Sequence, residues 1–488
     1  NHYRSTISGS HGFRHPILKS LVSKVAVDFK LALRWCTRTL SQSPLTDTLT
    51  NPIHPSLLKK GSKQTKGISL FSATALGIGG MMGAGLFSLL GAASIHAGTL
   101  IPLAFLVGAI AASFSVYSYA KLGATFPSSG GAATFTVMSF GRGVISGGLN
   151  LFQYIAYLIA AALYAAGFSE YANTLIGGNL SPTEVKLVGA GIILFCAGIN
   201  LLGTDIVGKA ETLAIGFVTL ALLLFSVEGI YEANIATFQA SSWSINGIAI
   251  ATGILYINYQ GFGVVTNSSN AMQEPQKELP LAMFSALILV TIAYILVSTA
   301  AILLLTPAQM SMYNGHVLAE AAQIIAGRVG FIVIGASALL ACAAALNATI
   351  FAASNIAADM ANKRSVSKVL GDSVLKTQLH ALTISAFLVI ALVLAFPLEV
   401  VGKMASLAFL LVYAAITYGH IRVREQTGAK LWPLWAAILI NLSLFTTLFI
   451  NVIESAPGSA IVLIAALIGS FALEAAYRAF LRRKSNIH

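Results

Sequence analysis

Two stretches of this chain hold the residues with something to offer chemically. In the first, residues 76–91 read LGIGGMMGAGLFSLLG, and Gly77, Gly79, Gly80, Gly83 and Gly85 crowd the middle of an otherwise apolar run. Glycine weakens a helix and admits backbone geometries that other residues resist. A helix interrupted there inside lipid leaves N–H and C=O groups in need of a partner, and a bound ion or small zwitterion is one such partner. In the second, residues 251–272 read ATGILYINYQGFGVVTNSSNAM. Gly261 and Gly263 flank Phe262, and the polar Asn258, Gln260, Thr266, Asn267 and Ser268 lie close by. Such polarity in an apolar run marks a cavity or a pathway rather than lipid contact. Bond-making chemistry has no counterpart in the chain: there is no HExxH, no nucleophile elbow and no phosphate loop with its lysine, so an enzyme is not expected. Cys36, Cys196 and Cys342 are scattered, which implies neither a metal site nor a disulfide framework, and no cofactor is expected. His96 and His316 fall near the outer ends of apolar runs and read as solvent-facing rather than as ligands.

The elements that position these stretches must be helices that cross a membrane. Of the 488 residues, 56% are hydrophobic and 9% charged, with a mean hydropathy of +0.81. A soluble domain carries about 25% charged residues. The apolar runs approach the ~20 residues that a spanning helix needs and lack the period-2 alternation of barrel strands, so the chain is an all-α polytopic membrane protein. Twelve spans are expected, near 68–95, 98–121, 144–176, 185–203, 207–229, 247–269, 280–305, 329–358, 379–396, 402–420, 431–452 and 458–477. With the N-terminus in the cytoplasm, fifteen Lys and Arg after residue 66 fall inside and three, Lys186, Arg328 and Lys403, fall outside. That bias orients the chain with both termini cytoplasmic.

The net charge of +12 is concentrated in residues 1–66, which hold eleven Lys and Arg against two Asp. This basic segment suits the anionic cytoplasmic leaflet of the bilayer, and nothing in it supports nucleic-acid binding. Residues 17–40 read equally as an interfacial amphipathic helix and as a weakly structured basic tail. Residues 67–230 form a first set of five spans and 247–420 a second. Spans eleven and twelve occupy 431–478, and 479–488 is a basic cytoplasmic tail. Two loops are expected to carry helices: 126–142 on the cytoplasmic side, and 306–327 outside, where Thr306 before Pro307 suits a helix start. The glycine-broken spans are the first and sixth, the same position in two five-span halves. That is the pattern expected of an inverted-repeat secondary transporter.

At these motifs the chain resembles the amino acid–polyamine–organocation superfamily of transporters, in its amino acid permease branch. The resemblance covers roughly residues 66–478. It rests on Gly77, Gly79, Gly83, Gly85, Leu86 and Phe87 in the first span; on Tyr256, Tyr259, Gly261 and Phe262 in the sixth; on Glu274, Pro275, Lys277 and Pro280 in the loop that follows; and on Leu346, Asn347, Ala348 and Phe351 in the eighth. It implies a leucine-transporter-type 5+5 inverted repeat with broken first and sixth helices, two extra C-terminal helices, and alternating access. By the same resemblance, a substrate carboxylate meets the backbone N–H groups of Met82, Gly83, Ala84 and Gly85. The substrate ammonium meets carbonyls including those of Ile78 and of Asn258 or Tyr259, and the side-chain pocket involves Tyr256, Asn258, Tyr259, Gly261 and Phe262, with Tyr154 or Tyr157 of the third span. Many relatives carry Glu directly after Gly-Phe, where this chain has Gly263, and no acidic side chain is expected mid-membrane elsewhere; neutral amino acids are therefore favoured. Val218 stands where some proton-coupled relatives place a lysine, and Ala343, Ala344 and Ala345 stand where sodium-coupled ones want hydroxyls. Proton coupling or exchange is expected over sodium coupling. The competing reading is an amino acid sensor or scaffold that keeps the fold without transport. A channel is disfavoured, since there is no filter-like repeat or charged ring. The expected location is a cell membrane, plasma or inner; oligomeric state, direction of transport and the particular amino acid stay open.

Overall fold

The computed structural model describes residues 68–128, 130–200, 204–233, 244–362 and 374–485. The basic segment, with its expected helix at 17–40, lies outside the described residues. The first span starts as α1 (Leu70–Met81), capped by the Ser69 hydroxyl, which accepts from the Ser72 N–H at 3.2 Å. It stops at Met82 and resumes as α2 (Ala84–Ala97). Gly98 closes α2 with φ +54°, a conformation that a Cβ would strain, and the chain turns directly into α3 (Ile101–Thr125). The expected cytoplasmic loop helix is α4 (Ala132–Phe140), entered at Gly131 with φ +47° and left at Gly141 with φ +72°. Spans three to five are α5 (Val144–Leu175), α6 (Pro182–Asn200) and α7 (Thr204–Tyr231).

The sixth span begins as α8 (Ile245–Leu255), tightens into a 3-10 helix over Tyr256–Tyr259, and returns to α-helix as α9 (Phe262–Thr266). Then follow α10 (Pro275–Leu304) and the second expected loop helix, α11 (Pro307–Tyr313). Thr306 and Gln309 bond each other's backbone N–H groups at the start of α11, as its sequence leads one to expect. Next comes α12 (Val317–Asn362), in which Ala326 and Gly327 (φ +56°) leave the helical region and divide the end of the expected loop segment 306–327 from the eighth span. The remainder is α13 (Val374–Ala395), α14 (Leu398–Arg422), the single turn α15 (Arg424–Thr427), α16 (Leu431–Ser455) and α17 (Pro457–Ser485).

Ten helices among the described residues are long and apolar enough to cross a membrane, and Leu70–Met81 and His380–Ala395 are shorter apolar helices. One of the ten, Ala84–Thr125, runs together the second half of the first expected span and the whole of the second. Four of the five counterpart pairs of the repeat pack on each other, whereas α7 packs on α12, α10 and α1 rather than on α14. The first span lies against the sixth, α3 against α10, α5 against α12, and α6 against α13. The outer surface shows large apolar side chains such as Phe195, Phe387, Leu439 and Ile468. Water would make such a surface a liability, whereas lipid makes it ordinary. His96 and His316, expected to face solvent, are half-buried, and Lys403 is buried in α14 with its Nζ 2.8 Å from Glu399 Oε1.

Candidate functional site

At the first break, Met82 has φ −77° and ψ 49°, and Gly83 is extended, so the axis of α1 does not continue into α2. The Met82 N–H donates to the Ile78 carbonyl and the Gly83 N–H to the Met81 carbonyl, both at 2.8 Å. Two of the four amides expected as donors, those of Met82 and Gly83, are thus paired inside the break. Gly83 has no side chain to cap α2, and among the described residues nothing accepts from the N–H groups of Ala84, Gly85 or Leu86. The open donors are therefore Ala84, Gly85 and Leu86, aligned at the positive end of a 14-residue helix. Leu86 escaped the sequence reading because an apolar side chain conceals an available amide.

The sixth-span interruption takes another form. Tyr256, Gln260 and Gly261 all keep right-handed helical φ and ψ, and the chain closes with i to i−3 bonds such as Gly263 N to Gln260 O at 3.2 Å. Tightening occurs where the first span unwinds, because no residue here leaves the helical region. Backbone touches backbone where the two interruptions meet. A Cβ on Gly261 would fall on the Gly80 carbonyl and the Met81 amide, while one on Gly80 would lie 3.1 Å from Gly261 Cα. Three tyrosines absent from the sequence reading join these spans. Tyr294 Oη donates to the Met81 carbonyl at 2.6 Å, with the Asn258 carbonyl 3.3 Å away. Tyr413 Oη donates to the Gln260 carbonyl at 3.1 Å, and Tyr164 Oη accepts from Gln260 Nε2 at 2.9 Å. A buried tyrosine hydroxyl usually finds a partner; which carbonyl it finds depends on packing that sequence does not display.

The structure brings Asn258 directly onto the open end of α2, where its side chain fills the space a Cβ on Gly85 would need. Asn258 is 2% exposed, and neither its Oδ1 nor its Nδ2 has a hydrogen-bond partner. Gln260 Oε1, Tyr119 Oη and Ser88 Oγ are likewise buried and unpartnered. Native interiors leave few such atoms unsatisfied, and five of the ten among the described residues belong to Asn258, Gln260, Tyr119 and Ser88, which makes this the candidate site. Phe262 packs on Tyr413 (ring centroids 4.8 Å apart) and on Tyr119 (5.4 Å). Tyr157 stands edge-on to Phe409 at 5.3 Å, its hydroxyl 3.6 Å from the position of a Cβ on Gly263. The other expected tyrosines turn away from the break. Tyr256 Oη pairs with Ser115 Oγ at 3.3 Å, Tyr259 Oη donates to the Phe105 carbonyl at 2.8 Å, and Tyr154 Oη pairs with Ser385 Oγ at 2.9 Å.

Comparison with known proteins agrees with this architecture. A family model described as amino acid permease matches residues 68–473. The inner membrane transport protein YbaT of Escherichia coli is 31% identical over 385 residues, covering 78% of this chain and 90% of that protein. An uncharacterized protein of Methanocaldococcus jannaschii is 29% identical, covering 79% and 89% respectively. The serine/threonine exchanger SteT of Bacillus subtilis is 26% identical, covering 61% and 69%.

Proposed function

This chain belongs to the amino acid permease family, and from that premise we propose that it moves neutral α-amino acids across a cell membrane by alternating access. All twelve expected spans cross the bilayer in this reading, with both termini in the cytoplasm, and transport is proton-coupled or exchanging rather than sodium-coupled. The observation that carries the reading is the unpartnered Asn258 amide beside the open N–H groups of Ala84, Gly85 and Leu86. A carboxylate suits a helix N-terminus, where amides and dipole act together. Asn258 Nδ2 adds one more donor to that carboxylate, and Oδ1 offers an acceptor to the ammonium group next to it. A single amide thus complements both ends of a zwitterion.

Neutral side chains are favoured because the first and sixth breaks present polar and aromatic groups among the described residues but no carboxylate. The position after Gly-Phe that could supply one is Gly263. Sodium is disfavoured by the donor set facing the first break. Ala345 packs on Gly83, and the nearest α12 hydroxyl in sequence, Thr349, lies one turn further on.

Uptake of a mixed pool of radiolabelled neutral amino acids into proteoliposomes, with unlabelled substrate inside, tests the proposal. Counterflow is expected. Asn258→Ala should weaken apparent affinity roughly 10- to 100-fold, the value of a hydrogen bond to a charged group at about 1.5–3 kcal/mol. Unchanged affinity in that variant would count against the assigned site. Thermal stabilisation by amino acids without movement of label would replace transport with sensing.

A further inference from the structure

One carboxylate in the body of the protein was not anticipated as functional. Glu211 lies seven residues into α7, near its cytoplasmic end. Its Oε1 accepts from Asn347 Nδ2 of α12 at 2.7 Å, and Asn347 Oδ1 accepts from Asn200 Nδ2 at the end of α6, also at 2.7 Å. Asn200 Nδ2 donates in addition to the Cys196 carbonyl at 2.9 Å. Three helices thus converge on the carboxyl through amides, and no cation among the described residues pairs with it.

The same face of α7 reaches the first break. Residues 211, 215 and 219 follow at helical i, i+4 spacing and so lie one above another. Ile215 occupies the space a Cβ on Gly79 would need, and Thr219 Oγ1, which donates to the Ile215 carbonyl at 2.8 Å, lies 3.7 Å from Met82 Sδ. On α12, two residues before Asn347, Ala345 Cβ would lie 2.8 Å from a Cβ on Gly83. Both partners of the carboxyl, its own helix and the helix that donates to it, therefore touch the two sides of the break.

We propose that Glu211 is the proton-binding site that couples transport to a proton gradient. This rests on the transport reading above. On loading, the carboxylate takes one proton from the side of higher proton activity and becomes a neutral carboxyl. On unloading, it releases that proton to the other side and again accepts from Asn347 as a carboxylate; no other bond forms or breaks. A charge held within an apolar span is costly, so the two protonation states weigh differently on the packing of α7 against α1 and α12. From α6 the titratable group facing this network is Cys196, whose thiol donates to the Ala343 carbonyl at 3.8 Å. The sequence of α1 holds no titratable residue; on α12 Glu320 and Arg328 stand at one end, Cys342 is buried mid-helix and Asp359 lies in the last turn, and α7 itself carries Asp205 and Lys209 before Glu211. On α10, Lys277 and Glu278 lie at its cytoplasmic start, with Lys277 paired to Glu274 at 2.8 Å.

The test compares wild type with Glu211→Gln and Glu211→Asp in proteoliposomes, by accumulation under an inward proton gradient and by counterflow without one. Expected is gradient-driven accumulation by wild type, its loss by at least about tenfold in Glu211→Gln with counterflow within about threefold, and retained coupling with a shifted pH profile in Glu211→Asp. Accumulation by Glu211→Gln at the wild-type level overturns the proposal, as does loss of its counterflow with thermal unfolding unchanged. Should Glu211→Gln not fold, an entrapped pH dye decides with the wild type alone: acidification of the lumen during influx supports the site, and its absence overturns it. Absent counterflow in wild type would instead strike the transport reading itself.

Discussion

Gly261→Ala and Gly80→Ala remove the two glycines that face each other where the breaks meet, yet they should behave differently. Both positions have right-handed helical backbone, so alanine is locally favoured over glycine by about 1 kcal/mol at each. Sterics then decide. At Gly80 the added methyl meets Gly261 Cα and O at 3.1 Å, which a shift of a few tenths of an ångström relieves. At Gly261 the methyl falls on the Gly80 carbonyl and the Met81 amide. Those atoms are backbone and cannot rotate aside, so the sixth span must move away from the first. Overpacking of this kind costs about 1–3 kcal/mol, and rigid backbone puts it at the upper end. The net loss is about 2 kcal/mol for Gly261→Ala and near zero for Gly80→Ala, roughly a 30-fold difference in the population of the intact arrangement. Counterflow rates, normalised to reconstituted protein, and thermal unfolding in detergent would measure it. Equal behaviour of the two variants, or the reverse order, would refute a site set by backbone contact at these glycines.

Tyr294→Phe should lower unfolding stability by about 1 kcal/mol, the usual value of one hydrogen bond, because Met81 O keeps its bond from Gly83 while losing the hydroxyl. A thermal-shift measurement checks this, and an unchanged midpoint would mean that the hydroxyl does not hold the spans together. Gly263→Glu should be sterically tolerated, since a Cβ there meets only Tyr157 Oη at 3.6 Å and Tyr119 Cε1 at 3.8 Å. With a carboxylate beside the breaks, competition by lysine or arginine against leucine in counterflow should rise about tenfold, a shift of ~1.4 kcal/mol. No change in that ratio would separate this position from side-chain selection.

The helices, the first break and the loop helices at 132–140 and 307–313 were legible in sequence because each has a local cause: apolar length, glycine density, a threonine before proline. The close approach of Gly80 to Gly261 was not, since only the packed arrangement shows which of many glycines lack room for a methyl. The tyrosines divided for a similar reason. Tyr256 and Tyr259 stand in the signature stretch, but their hydroxyls are bound to α3, whereas Tyr294 and Tyr413, far off in the chain, bond the carbonyls of the breaks. Glu211 was overlooked because an acidic residue near a predicted span boundary reads as interfacial until its partners on other helices are seen.

The bond from Tyr294 to Met81 spans 213 residues of chain, which matters before the protein ever works. At about 5–20 residues per second, a ribosome needs roughly 10–40 s to travel that distance. Throughout that interval the Met81 carbonyl still accepts from the Gly83 N–H, so what the first span waits for is a second bond worth about 1 kcal/mol. The break can therefore form from local bonds when the first span is made, and the late hydroxyl secures it once the seventh span arrives.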